Sequence, residues 1–167
     1  MGIALQKRLL TTKFESPVHE MMINVMLANT FVRLRLDEAF ENTDLTFPQY
    51  NLLRILNGAF PNGYARGEIS ARMIDRAPDM TRMIDRLVKR GLVTRERSGE
   101  DGRQAITTIT AKGRTLVAGV NARVKHVHKR VGEPLTDAEA EQLSHLLEKL
   151  YGFVEGAAKP GESGTSE

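Results

Sequence analysis

A mainly α-helical chain with a small β-hairpin wing is the fold class this sequence predicts, and three observations carry it. Long apolar-periodic stretches free of Gly and Pro stand near both ends of the 167 residues. Between them, 79–114 reads DMTRMIDRLVKRGLVTRERSGEDGRQAITTITAKGR. In that segment a cationic amphipathic helix stops at Gly91, two β-prone runs flank a Gly-rich basic turn, and a second helix begins. Helix, strand, tip, strand is the order in which a winged helix-turn-helix offers one helix to a DNA major groove and an arginine to the minor groove. DNA binding is therefore the leading expectation.

The elements follow in order. Met1–Lys13 predicts a short helix, and Ser16-Pro17 marks a break. From Val18 to Glu41 there is no Gly or Pro, and Val18, Met21, Met22, Val25, Met26, Leu27, Phe31 and Val32 form a wide apolar stripe on one long helix. Thr46-Phe-Pro-Gln49 is a capping box that opens a helix running to about Asn57, with Gly58 just past its end. Phe60–Arg66 reads as a loop, and Gly67–Arg76 as a short helix. The helix after Asp79 places Met80, Met83, Ile84, Leu87 and Val88 on one face, which leaves Arg82, Arg86, Lys89 and Arg90 largely outside it. Leu92–Arg97 and Ala105–Thr110 are strand-length, with Ser98–Gln104 as the hairpin tip. Thr110 caps a long helix to about Val131. Thr136-Asp-Ala-Glu139 opens another, with Leu143, Leu146, Leu147, Leu150 and Val154 on its apolar face. The small polar residues 156–167 predict a disordered tail.

A helix of 24 residues spans roughly 36 Å at 1.5 Å per residue, longer than a compact unit of about seventy residues can cover. The excess apolar surface calls for a partner, most simply a second copy of the chain in a two-fold interface.

Composition narrows the function classes. There are no cysteines, which excludes disulfides, thiolate metal sites and thiol redox sensing. No apolar run approaches the roughly 20 residues of a membrane span, so a cytoplasmic protein without a membrane partner is expected. The net charge is only +3, but it is unevenly placed. Between Arg66 and Arg114 twelve Lys and Arg face seven Asp and Glu, so that segment carries +5 and the remainder −2. His126 and His128, two apart, point roughly 200° from each other on a helix and cannot share an ion. With His19 and His145 on other helices, no metal site and no cofactor are expected. No nucleophile–base pair, phosphate-binding loop or paired-carboxylate motif stands out either, so no enzyme is expected.

Four motifs together resemble the MarR family of bacterial transcriptional regulators. Leu45-Thr-Phe-Pro-Gln-Tyr-Asn-Leu-Leu-Arg-Ile-Leu56 is similar to the family's L-T-x-x-Q helix opening. Thr81-Arg-Met-Ile-Asp-Arg-Leu-Val-Lys-Arg-Gly-Leu-Val-Thr-Arg95 is similar to its recognition-helix signature. Asp101-Gly-Arg103 resembles the wing D-x-R, and Ile109-Thr-Ala-Lys-Gly113 the L-T-x-x-G that follows. The resemblance runs from about Phe14 to Glu155. It implies a homodimer, with dimerisation helices in 1–45 and 115–155 and a winged helix-turn-helix lobe over 46–114. It also implies repression at a pseudo-palindromic operator of double-stranded DNA, and release by a small-molecule effector held in a cleft between the lobes. Met21, Met22, Met26, Phe47, Tyr50 and Tyr64 are candidate walls of that cleft, and Arg54 could hold a carboxylate there.

For DNA contact the candidates are Arg76, Thr81, Arg82, Arg86 and Arg103, with Asp101 orienting the wing arginine. Thr81 and Arg82 lie in the first turns of the recognition helix, where side chains reach base edges. Arg82 could grip a guanine edge, hold a phosphate, or pair with Asp85 on its own helix. Asp79 could cap the helix or accept from a cytosine amino group. Arg76 is a phosphate candidate. Arg86, one turn further on, could equally pair locally. Arg103 suits a narrow A·T minor groove, and Asp101 could instead pair with Arg97. Two rival readings remain at this level: a winged-helix module for protein interaction, and a helical protein that binds or converts small molecules without specific DNA binding.

Overall fold

The structure, a computed structural model, describes residues 3–10, 13–75, 79–97 and 105–157, with side chains to residue 152. It divides into two units, 1–127 and 128–167. In the first unit, α1 (Ile3–Leu9) precedes α2 (Pro17–Phe40), whose N-cap is Ser16. The Ser16 Oγ accepts from the His19 amide at 3.1 Å, and Pro17 sits at the first helical position. What reads as a break is thus a helix start, since proline is favoured where no amide partner is needed.

Next come α3 (Phe47–Gly58), β1 (Tyr64–Ala65), α4 (Arg66–Arg72), α5 (Met80–Lys89), β2 (Val93–Arg97), β3 (Ala105–Ile109) and α6 (Ala111–Gly132). The Thr46 amide donates to Gln49 Oε1 at 3.2 Å, the N-terminal device expected for α3. Gly58 closes that helix from inside, and Ala59 is its C-cap. The expected loop over Phe60–Arg66 contains a strand. β1 pairs antiparallel with β3, Tyr64 opposite Thr107, giving a sheet of order β1-β3-β2. Two residues are too few for a period-2 pattern. What admits them is Gly63, at φ +70°, where a Cβ would overlap the Thr107 carbonyl oxygen. The helix expected over Gly67–Arg76 ends early, at Arg72, because Met73 turns extended (ψ 138°).

The core of this unit is formed by Leu52, Leu53 and Leu56 of α3, Ile69 of α4, Ile84 and Leu87 of α5, Leu92 and Val93 at the hairpin, and Val117 and Val120 of α6, each at most 2% exposed. α2 contributes little to it: of its 24 residues only Ala39 and Phe40 are buried.

α5 ends in a Schellman turn: Gly91 adopts φ +68°, its amide donates to the Val88 carbonyl, and the Leu92 amide to the Leu87 carbonyl. The Leu92 carbonyl then receives the Thr110 amide at 3.1 Å, while the Thr110 hydroxyl donates to the Gly91 carbonyl at 2.8 Å and accepts from the Gly113 amide. Thr110 therefore caps α6, and the same hydroxyl ties that cap to the end of α5.

In the second unit, Thr136 and Glu139 form the reciprocal box expected at the start of α7 (Asp137–Ala157). Hydrogen bonds from Thr136, backbone first, hold the Glu139 carboxyl below its usual range. The helix continues past Gly156, where a tail was expected to begin, because nothing at Gly152 or Gly156 interrupts its backbone. Residues 158–167, assigned above to the tail, lie outside the described residues.

Candidate DNA-recognition site

α5 buries Met80, Ile84 and Leu87 and turns the rest of its surface outward. Arg82, Arg86 and Lys89 are exposed, and Arg82 and Arg86, four apart, share one face. Asp79 is the N-cap: its Oδ1 accepts from the Arg82 amide at 3.1 Å. Its Oδ2 lies 2.9 Å from Arg82 Nε. The local partner of Arg82 is therefore Asp79, not Asp85, because the capping carboxylate lies over the first turn. Asp85 faces the hairpin and pairs with Arg95 of β2 at 3.2 Å. The Arg82 side chain remains 80% exposed, so water screens its ion pair and leaves the guanidinium available.

Thr81 is half-buried, and its hydroxyl lies 3.4 Å from Nη1 of Arg66, the first residue of α4. Sequence reasoning passed over Arg66. Its signal was positional: the first helix of a helix-turn-helix ends and begins beside the second. Several other basic residues counted in the charged segment are engaged within the protein. Arg90 donates to the Asp44 carbonyl at 2.7 Å, and Lys112 Nζ to the Arg90 carbonyl at 2.9 Å. Arg72 and Arg114 each stand 4.2 Å from a ring centroid, over Tyr64 and Phe60 respectively. Among the described residues, the positive charge open to a partner is accordingly narrower than composition suggests, and α5 contributes Arg82, Arg86 and Lys89 to it. Arg76, Asp101 and Arg103 lie outside the described residues, as does the tip Ser98–Gln104.

Asp79 weakens the attraction of this face for phosphate. Asp79→Asn keeps an equally good cap and frees Arg82. It is expected to tighten DNA binding by about 0.2–1 kcal/mol irrespective of sequence, read by fluorescence anisotropy at two salt concentrations. A loss confined to one base position would instead show that Asp79 accepts from a base.

A second feature of the same unit is a cleft of about 300 Å³ lined by Phe47, Tyr50, Asn51, Arg54, Ile55, Arg72 and Ile74. Three of the expected cleft residues, Phe47, Tyr50 and Arg54, line it, and the Arg54 guanidinium stands 5.8 Å from the Tyr50 ring centroid. Burial raises the Tyr50 phenol, opposed by Arg54, and the hydroxyl donates to Asn121 Oδ1 at 2.6 Å. Met22 and Met26 do not line this cleft; they are 56% and 67% exposed on α2. Asn51, which sequence reasoning did not single out, is 7% exposed, and its Oδ1 is buried with no hydrogen-bond partner.

Among the described residues no group of three or more His, Asp or Glu could hold a metal, and no helix is long and apolar enough to cross a membrane.

Comparison with known proteins places these features in context. A family model described as MarR family matches residues 43–104. The HTH-type transcriptional repressor IacR of Pseudomonas putida is 28% identical over 121 residues, which cover 72% of this chain and 71% of that protein. A crystal structure of a MarR transcription factor from Planctomyces limnophilus is 33% identical, with TM-score 0.63, over 81% of this chain and 98% of that one. The fold is also that of a mutant MarR from Escherichia coli complexed with operator DNA: TM-score 0.73, 23% identity, 83% of this chain and 99% of that one.

Proposed function

Because this chain belongs to the MarR family and is a DNA-binding transcription regulator, we propose that it acts as a homodimeric repressor, occluding a promoter at a pseudo-palindromic operator until a small effector releases it. The observation that carries this reading is the outer face of α5, where Arg82, Arg86 and Lys89 stand exposed opposite the buried Met80, Ile84 and Leu87. In the proposed complex Thr81 and Arg82 meet base edges and Arg86 the adjoining backbone. Arg76 and the wing pair Asp101 and Arg103 keep the roles their sequence pattern suggests. This reading involves no catalytic step and sets the protein beside the chromosome in the cytoplasm.

Dimerisation is assigned to 1–45 and 115–155. α2 exposes Val18, Met22, Met26, Phe31 and Leu34, and α7 exposes Leu143, Leu146, Leu150 and Tyr151. Runs of this kind are uncommon on monomers and suit an interface between copies. Leu146→Asp is expected to yield a monomer by light scattering, with helicity retained and operator binding lost. A persisting dimer would remove α7 from the interface.

The reading is tested by selection from a randomised duplex pool at about 150 mM salt. Enrichment of an inverted repeat with half-sites about one helical turn, roughly 10 bp, apart supports it. Retention without enrichment would indicate backbone-only binding.

A further inference from the structure

Arg66 opens α4 and touches α5, and its backbone is fixed on both sides. Before it, Ala65 ends β1 opposite Ile106 of β3, and the Ala65 amide donates to Glu68 Oε2 at 3.0 Å, closing the first turn of α4. After it, the fully buried Ile69 seats that helix. From this base the exposed Arg66 sends Nη1 to within 3.4 Å of Thr81 Oγ1, on the first turn of α5. The bond is long for N–H···O, so its effect lies in orientation more than in stability. A guanidinium carries five N–H donors and no acceptor, whereas a threonine hydroxyl has one proton and two lone pairs. Where Arg66 engages Thr81, the oxygen is therefore the acceptor, and its proton is turned away from α4.

We propose that Arg66 is a specificity-determining positioning residue that acts through Thr81: it makes the hydroxyl a donor to its base and so selects thymine over cytosine. The inference rests on the proposed contact of Thr81 with a base edge and deepens it to one base. In the major groove thymine presents the O4 acceptor beside a methyl group, whereas cytosine presents the N4 amino donor. Threonine matches thymine with both of its groups, the hydroxyl to O4 and the methyl to the methyl. A freely rotating hydroxyl accepts from cytosine as readily as it donates to thymine. One engaged by a guanidinium does not. The positive charge polarises the O–H towards donation and opposes a second N–H dipole that approaches the same oxygen with its positive end first.

The test starts from the repeat that the wild-type full chain selects. Fluorescence anisotropy then compares wild type, Arg66→Met, Thr81→Val and the double variant on duplexes carrying thymine, uracil, cytosine or 5-methylcytosine at each position of a half-site. Thr81→Val marks the position Thr81 reads, as the one whose preference for thymine over cytosine falls. There the wild type is expected to favour thymine about tenfold, and Arg66→Met to reduce the ratio to about twofold. In the Thr81→Val background Arg66→Met should leave the ratio unchanged, a non-additivity that a merely structural role would not produce. Thr81→Val keeps the methyl contact, so it should still reject uracil and should treat 5-methylcytosine as thymine. If Arg66→Met fails to fold by circular dichroism, Arg66→Gln decides: it brings the hydroxyl an acceptor as well as donors, and its ratio should fall too. A variant of Arg66 that keeps the wild-type ratio overturns the proposal. So does one that loses affinity equally for every base with a shallower salt slope, the mark of a phosphate contact. No enriched repeat with the wild-type chain overturns the operator reading and this inference together; an enriched repeat whose base ratio ignores Arg66 overturns this inference alone.

Discussion

Gly113→Ala is expected to destabilise the protein by about 1–3 kcal/mol and to lower Tm by several degrees. Gly113 lies in the first turn of α6, where helix propensity alone would favour alanine by about 1 kcal/mol. Packing reverses the sign. The new methyl would overlap the Leu92 carbonyl oxygen and come within 2.8 Å of Ile109 Cγ1. The carbonyl cannot yield cheaply, because it already accepts the Thr110 amide at 3.1 Å. Gly119, in the same helix, has open space around its Cα. Gly119→Ala should therefore stabilise by about 0.4–1 kcal/mol, and thermal denaturation of the two variants checks the argument with one instrument. Gly113→Ala should also weaken operator binding, since the clash lies where α5 and the hairpin join.

Arg82→Ala is expected to leave Tm nearly unchanged and to relax base preference at one position in each half-site by about 1–3 kcal/mol. The first expectation follows from exposure: among the described residues, the ion pair lost is the screened one to Asp79. The second follows from position, in the first turn of the outward face of α5. Repeating the selection with the variant distinguishes the roles open to this residue. Loss of information at one base marks an edge contact, whereas a uniform loss with a shallower salt slope marks a phosphate contact.

Local chemistry was well recorded in the sequence. The amide–carboxamide bond at Thr46, the reciprocal box at Thr136, the Asp79 cap and the Gly91 stop all involve residues within four positions of one another. The apolar stripe of α5 was legible for the same reason, although Val88, placed in it at i+8, is 38% exposed, because the stripe drifts around the helix after two turns. What the sequence concealed depends on residues far apart in the chain. β1 exists only because β3 lies beside it, and Asp75 meets Arg33 across 42 positions. Asp85 turns to Arg95 instead of Arg82 because the hairpin folds back beside α5. The cleft is the clearest case. Methionines on α2 and Tyr50 on α3 share a helical period, but no periodicity tells which wall faces which, nor that Asn51 would be buried without a donor.

The attachments of α5 have a mechanical meaning. Its last turn is fastened through backbone groups: the Gly91 and Leu92 amides return to the helix, Thr110 and Lys112 hold the Gly91, Leu92 and Arg90 carbonyls, and Arg90 reaches Asp44. Among the described residues, its first turn is attached to the rest by the buried Met80 and the long bond between Arg66 and Thr81. Apolar contacts tolerate sliding, whereas hydrogen bonds do not. Among the described residues, the helix is therefore held by a clamp of backbone hydrogen bonds at its last turn and by apolar packing of Met80, Ile84 and Leu87 along the rest. It is about 15 Å long, so a swing of about 10° about the clamp carries the tip some 2.6 Å, nearly a full hydrogen-bond length. The residues proposed to read bases sit at the end farthest from that clamp, where the smallest rotation has its greatest reach.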